Sequence, residues 1–490
     1  MNTHQSEAQC RTPRVRIAPS PTGDPHVGTA YVALFNRTHA RQGEGEFILR
    51  IDDTDRSRYQ ESSEGQIFSA LNWLGLDWDE GPEGGGPHQP YRQSERLDHY
   101  RECVSQLIDS GNAYPCFCTE ERISELREKQ KAAKERLGYD GACRNIDKAE
   151  AQSRIEAGET HVIRLKVPDS GETTFTDALR GEVKVANSEI DDQILIKSDG
   201  FPTYHLANVA DDIAFGITDV IRAEEWLIST PKHVLIYEAL NQPLPRFLHV
   251  SLLRNADKSK ISKRKNPVSL DWFRQEGFLP EALLNFLALM GWAPDDDEEV
   301  FDMDTFQEKF RVEKLSTGAP IFDLTKLDWL NGMHIRRLEI EDLTERLISE
   351  GFAPPEASRE QITTILPLVT ERLTRLNEFS DKTEWFFAEP NPPAIEDLIP
   401  KKSDKTTSLQ ALTAAKDALS SLDDFTPEKI IPALDEVLET GSWKKPFLFM
   451  PLRFAVTSRR DSPDLVDVLA ILGRETVCAR IRKSIELLDS

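Results

Sequence analysis

His26-Val27-Gly28-Thr29 follows directly on a run that no regular element can continue through: Pro19, Pro21, Gly23, Asp24 and Pro25. Ahead of that run Val15, Ile17 and Ala18 read as a short strand. After it Ala30, Ala33, Leu34 and Arg37 fall at helical spacing, with Gly43 where such a helix would stop. A strand, a Gly/Pro loop and a helix N-terminus make an anion site, because unpaired backbone N–H groups and the helix dipole point at whatever enters the loop. His26 adds a side-chain donor, and Gly28 would let a ligand approach the backbone closely. A second stretch offers cations: Arg254 to Lys265 carries Lys258, Lys260, Lys263, Arg264 and Lys265. Such a run is ordinarily a solvated loop, but Ile261 inside it argues that the loop packs back on the fold. Singly, the two stretches have bland readings, a turn with a capping histidine and a solvated charge run.

Together they resemble the signature pair of class I aminoacyl-tRNA synthetases. His26-Val27-Gly28-Thr29 is similar to the HIGH motif and Lys260-Ile261-Ser262-Lys263-Arg264 to the KMSKS loop. The runs RIAPSPTGDPHVGTA, RIDDTDRSRY, PYRQSERL, FPTYHLANV and DVIRAEEWLIST, spread over nearly the whole chain, resemble glutamyl-tRNA synthetases of the bacterial type. The resemblance implies that L-glutamate attacks the α-phosphate of ATP, supplied with Mg2+, to give glutamyl-adenylate and pyrophosphate. Glutamate then passes to the terminal ribose of tRNA-Glu. His26, Gly28 and Thr29 would hold the triphosphate, while Lys260, Ser262 and Lys263 would close over the leaving pyrophosphate. By the same resemblance Arg16 with Tyr204 would hold the side-chain carboxylate of glutamate and Arg222 with Asn208 its α-carboxylate. Asp52, with Ala18 and Ser20 beside it, would receive the ammonium. Relatives often have Glu at the position of Asp52, so the shorter side chain would reach through a water. Arg372 would read the third anticodon base; an arginine on the polar face of a helix is ordinarily solvated, and Arg375 is the alternative reader. The family further implies a monomer.

Six cysteines, scattered, do not make a disulfide framework and suit a reducing cytoplasm. Cys116, Cys118 and Cys143 resemble the zinc site that some relatives carry. Three thiolates are one ligand short of a tetrahedron, and Asn145 stands where those relatives often have His; Tyr139 could substitute. A structural zinc and three reduced thiols are both open readings. Cys10, Cys103 and Cys478 have no metal-ligand spacing.

The chain has 490 residues, 39% hydrophobic and 29% charged, as in an ordinary soluble protein of about three domains. A net charge of −24 opposes indiscriminate nucleic-acid binding but leaves room for a local basic face. No window approaches the roughly 18 apolar residues of a membrane span. The first stretch, up to Arg14, reads as a loose tail and not as a leader.

These residues must be positioned by a parallel sheet. Phe47 to Ile51 reads as a buried strand ending at Asp52, Asp53 and Asp55, and Ser63 opens a helix closed by Gly75. Strand, helix, strand, helix is the grammar of an α/β fold whose ligands sit at the carboxyl ends of the strands. The expected fold is a Rossmann-like parallel-sheet catalytic domain with an α+β insertion, then an all-α C-terminal half. Its expected divisions are 1–100 for the first half of the catalytic domain, 101–210 for the acceptor-binding insertion, and 211–255 for the second half. The signature loop and stem-contact domain would span 256–340, and two anticodon-binding helical domains 341–395 and 396–490. Within the insertion a helix runs from Leu97 to Ile108, a charged helix from Glu120 to Leu137, and strands over His161–Val167, Gly181–Val185 and Gln193–Lys197. Ser198-Asp199-Gly200 then reads as a hairpin turn into Thr203–Leu206. Thr230-Pro231 starts a helix, and His249–Leu253 is a strand delivering the basic loop. Ile362, Ile365, Val369, Leu373 and Leu376 form one apolar stripe, which Pro367 should bend or divide. A truncated relative that glutamylates a tRNA base lacks this helical half, a small-molecule nucleotidylyltransferase would not need it, and a non-catalytic relative would not need His26, Lys260, Lys263 and both arginines.

Overall fold

The computed structural model describes residues 11–261, 267–295 and 297–490, so Ser262, Lys263, Arg264 and Lys265 of the expected signature loop, and Cys10, lie outside the described residues. Strands β1 (Arg14–Ile17) and β2 (Glu46–Leu49) pair in parallel, and helix α1 (Val27–Gln42) makes the crossover between them. Val15, Phe47, Ile48 and Leu49 are buried, as strands covered on both faces require. Helix α2 (Glu61–Trp73) begins two residues before Ser63.

The middle of the chain adds α3 (Leu97–Asp109), β3 (Ala113–Cys116), α4 (Glu120–Ala133), α5 (Lys148–Glu156), β4 (Val162–Leu165), β5 (Glu172–Asp177), β6 (Gly181–Ala186) and β7 (Ile194–Ile196). The charged helix stops at Ala133, not Leu137, because Lys134 turns left-handed at φ 56°. β3, β4 and β7 form an antiparallel sheet, whereas β5 and β6 leave it for the catalytic sheet. The hairpin expected after β7 closes only as far as Thr203, whose N–H donates to Leu195 O at 2.8 Å, and does not continue to Leu206. Its turn is there, Gly200 N–H donating to Lys197 O and Lys197 N–H to Phe201 O, each at 2.9 Å, with Ile196 and Pro202 bridging antiparallel. Tyr204–Ala214 is instead helix α6, because Leu206, Ala207, Val209 and Ala210 are spaced to bury one helical face.

Strand β8 (Asp219–Ala223), helix α7 (Thr230–Ala239) and strand β9 (Arg246–Val250) complete a sheet of order β6-β5-β9-β8, parallel but for β6 at its edge. β1 lies against the start of β8, where Thr218 N–H donates to Arg14 O at 3.0 Å. β5 went unread in the sequence because two of its three inward residues, Thr173 and Asp177 beside Phe175, are polar.

Helices α8 (Leu270–Gln275), α9 (Pro280–Gly291), α10 (Met303–Lys309), α11 (Leu324–Arg337), α12 (Ile340–Ser349), α13 (Arg359–Val369), α14 (Glu378–Phe387), α15 (Lys405–Ser420), α16 (Pro427–Gly441), α17 (Lys445–Thr457) and α18 (Leu465–Asp489) follow. The chain divides into two compact units: residues up to Arg274 with Pro280–Leu327, and Gln275–Leu279 with Asp328–Ser490. In the first, one core joins Ile163, Leu165 and Leu195 of the antiparallel sheet to Leu206 of α6 and to Val220 and Phe247 of the parallel strands. In the second, the stripe from Ile362 to Leu376 is buried throughout. Helix α13 ends two residues after Pro367, and the 3-10 turn Thr370–Arg372 carries the chain on to Leu373 and Leu376. No helix of the described residues is long and apolar enough to cross a membrane.

Candidate functional site

A cleft of about 910 Å3 opens at the carboxyl ends of the parallel strands, within the size range of nucleotide sites. Its wall collects the residues that the sequence singled out: Arg16, Ala18, Ser20, His26, Gly28, Thr29, Asp52, Tyr204, Asn208, Arg222 and Lys260. The histidine loop and the chain returning from the basic stretch are held edge to edge. Val27 N–H donates to Val268 O at 2.9 Å and Leu270 N–H to Pro25 O at 3.1 Å. Ile261 packs into the same wall and donates its N–H to Leu253 O at 3.1 Å. Lys260 Nζ stands 2.5 Å from Glu225 Oε2 at the exposed rim.

His26 is the N-cap of α1, its Nδ1 accepting the Gly28 N–H at 3.0 Å. In the neutral ring the proton therefore sits on Nε2. The capping role and the cleft role belong to one side chain. Gly28 is needed for a reason other than ligand approach: a Cβ there would lie 2.6 Å from His26 Cε1, so the glycine makes room for the ring that caps its own helix.

Below the loops lies a buried ion network. Arg16, on β1, donates through Nε to Asp212 Oδ1 at 3.1 Å and through Nη2 to Asn208 Oδ1 at 3.3 Å. Arg50 is fully buried between Asp52 (2.7 Å) and Asp212 (2.8 Å), and its Nη2 also donates to Asn208 Oδ1 at 3.0 Å. Arg96 pairs with Asp211 at 2.7 Å. Three guanidinium groups are thus matched by three carboxylates. Burial pushes the Asp52 carboxyl up to about 6, with Arg50 pulling the other way.

Arg222 is the cation left over. Its Nε donates to His249 Nε2 (3.1 Å), Nη1 to Tyr204 Oη (3.2 Å) and His233 Nδ1 (3.2 Å), and Nη2 to Thr230 Oγ1 (2.9 Å). No carboxylate among the described residues pairs with it, although it is 5% exposed. Burial accordingly lowers its pKa, and that of His233 beside it. Thr230 is recruited to this cluster, so the N-cap of α7 is Ser229, with Pro231 in the first turn. Within the protein Asn208 bonds Arg16, and Tyr204, its ring tilted against Trp226 with centroids 4.2 Å apart, bonds Arg222.

The Sγ atoms of Cys116, Cys118 and Cys143 lie within 4.8 Å of one another, Cys118 and Cys143 at 3.6 Å. The Tyr139 hydroxyl is 3.3 Å from Cys116 Sγ and 3.5 Å from Cys118 Sγ, while Asn145 is exposed. Ligands on bonds of about 2.3 Å to one tetrahedral ion stand about 3.8 Å apart, so this set fits. Burial resists ionisation at Cys116, but the Tyr139 and Arg164 contacts outweigh it and hold that thiol below its ordinary value.

In the second unit Arg372 sits exposed on the 3-10 turn after α13, not on a helix face, with Nη1 donating to Asp461 O at 2.7 Å. Arg375 is tied to Asp328 (2.7 Å) and Glu276 (3.1 Å) and holds the unit together.

Residues 13–329 match the model of class I tRNA synthetases (E and Q), catalytic domain, and residues 340–485 that of an anticodon binding domain. The chain is 47% identical to the glutamate-tRNA ligase of Acidothermus cellulolyticus, over 98% of this chain and 96% of that one. It is also 47% identical to the same ligase of Thermus thermophilus, over 96% and 99%. A crystal structure of a glutamate tRNA ligase from Elizabethkingia meningosepticum, in complex with its amino acid, superposes with a TM-score of 0.90 at 34% identity, covering 98% of this chain and all of that one.

Sequence reasoning missed Arg50, Asp211, Asp212, Asp177 and His249. Two signals were available: Arg50 interrupts the apolar run Phe47-Ile51, and Asp211-Asp212 continue the apolar face of α6. Gly28→Ala is expected to lower stability by about 1 kcal/mol despite alanine's better helix propensity, because the His26 cap must break. An unchanged or raised unfolding midpoint would show that the ring moves without losing its bond.

Proposed function

The chain belongs to the glutamate-tRNA ligases among the class I tRNA synthetases, and from that premise we propose how its cleft performs the reaction. Glutamate is activated by ATP to glutamyl-adenylate, pyrophosphate leaves, and the glutamyl group passes to the terminal ribose of tRNA-Glu. Glutamate brings two carboxylates and one ammonium. The observation that supports the reading most is that one cleft holds both Arg222, a buried cation with no carboxylate partner among the described residues, and Asp52, an acid whose charge burial opposes. A zwitterion answers both: Arg222, which lacks an anion, and Arg16 take the two carboxylates between them, and Asp52, paired with Arg50 yet opposed by its burial, takes the ammonium. Glutamine would leave one buried guanidinium facing an amide, which is a strong filter.

Phosphoryl activation asks the protein mainly for position and charge. His26 and the N–H groups at the start of α1 face the triphosphate of magnesium-bound ATP, and Lys260 exchanges Glu225 for an oxygen of the departing pyrophosphate. Cys116, Cys118 and Cys143, with Tyr139 beside them, would hold a structural zinc between the end of β3 and the 139–143 loop, away from the chemistry. Arg372 reads an anticodon base from its exposed turn.

Charging of purified tRNA-Glu and tRNA-Gln with labelled glutamate tests the whole reading. Acceptance by tRNA-Glu is expected, with Arg372→Gln lowering the ratio of tRNA-Glu to tRNA-Gln charging; no charging of either defeats the assignment. The Asp52 carboxyl takes a proton as pH falls through about 6, and only its ionised form binds an ammonium. The KM for glutamate should therefore climb below that pH and level off above it, and Asp52→Asn should remove the climb. Protein purified without added zinc should carry about one zinc per chain, lost in a Cys118→Ser, Cys143→Ser double variant; metal-free protein with an intact fold would leave three reduced thiols.

A further inference from the structure

We propose that Asp177 and His249 are positioning residues for Arg222, forming a relay across three neighbouring strands that fixes the guanidinium beneath the cleft. Strand β5 thereby contributes to recognition of a substrate carboxylate without touching it. The proposal rests on the reading of Arg222 given above.

Asp177 is 1% exposed, at an inward position of β5. Four N–H groups converge on its two oxygens. Oδ1 accepts the backbone N–H groups of Leu179 and Arg180, each at 3.0 Å. Oδ2 accepts the backbone N–H of His249 at 3.1 Å and its ring Nδ1–H at 2.6 Å. A carboxylate accepts at both oxygens and satisfies all four, whereas an amide must present its NH2 to one pair of donors. With the ring proton held on Nδ1, the neutral imidazole keeps its lone pair on Nε2, which lies 3.1 Å from Arg222 Nε. The other tautomer would aim N–H at N–H.

Strand register makes the relay possible. Arg222 on β8 is the direct partner of His249 on β9, and β5 lies on the other side of β9, with Asp177 opposite Phe247. Burial keeps the imidazole below its ordinary pKa, with Asp177 acting against it, so no second positive charge arises beside Arg222. Arg222 is therefore oriented by a neutral acceptor that Asp177 locks, and its charge stays uncancelled for a ligand.

The test is ATP–pyrophosphate exchange and charging by the full chain in the presence of tRNA-Glu, with glutamate and ATP varied in turn. Asp177→Asn should raise the KM for glutamate about tenfold or more, the loss of one hydrogen bond to a charged group. The kcat and the KM for ATP should change by less than about threefold. His249→Gln, whose Oε1 keeps an acceptor near the Nε2 position, should recover most of the glutamate KM lost in His249→Leu. Adding Asp177→Asn to His249→Gln should raise that KM little further. A uniform fall in kcat, or a normal glutamate KM in folded Asp177→Asn or His249→Leu protein, overturns the relay. If Asp177→Asn does not fold, the two His249 variants decide by the same criteria. Arg222→Gln run alongside separates the two claims: an unchanged glutamate KM there removes the reading of Arg222 itself, whereas a raised KM with normal Asp177 and His249 variants removes only the relay.

Discussion

A full positive charge sits under the cleft at Arg222, hydrogen-bonded to a hydroxyl, a phenol and two imidazoles and neutralised by none of them. Burying an ion without a counter-ion costs several kcal/mol, which the fold must supply from elsewhere. The surrounding acceptors reduce that cost without removing the charge. A carboxylate entering the cleft restores what the empty protein lacks, so recognition of an acidic substrate is built into the electrostatics of the floor.

The rest of the floor shows why this charge is not lost to a neighbour. Arg16, Arg50 and Arg96 are each held against Asp52, Asp211 or Asp212; Asn208 interlocks the Arg16 and Arg50 pairs, and Asp211 lies 3.7 Å from Arg50. Removing one member would leave a buried partner uncompensated, so the network is rigid by the same rule that makes Arg222 responsive. Asp52 is the exception within it: Arg50 pairs with it, yet burial still dominates its titration, which leaves it suited to meet an ammonium.

Phosphate recognition uses cheaper means. A helix start, a capping histidine and a rim lysine already paired with Glu225 lie near solvent, where exchanging one partner for another costs little. The cleft thus divides into a deep, specific floor and a shallow wall that handles a polyphosphate.

Local pattern located the loop before α1, the first βαβ unit and the apolar stripe of the C-terminal half, because periodicity and Gly/Pro punctuation are carried by neighbours in the chain, whereas the Lys260–Arg264 stretch stood out by family resemblance. Run by run, the sequence also placed Arg16, Asp52, Tyr204, Asn208 and Arg222 in one family pattern, and the fold brings all five to one cleft. Tertiary structure alone decided which arginine has which partner: Asn208 sits one helical turn before Asp212 on α6, and both face Arg16 and Arg50, whereas Tyr204 at the start of α6 turns to Arg222. It decided, too, that Tyr204 opens a helix and not a hairpin arm, and that Asp177, 45 residues before Arg222 in sequence, meets it through His249. Such pairings depend on strand order and register across a sheet, which join residues far apart in the chain and leave no periodic trace within any one segment.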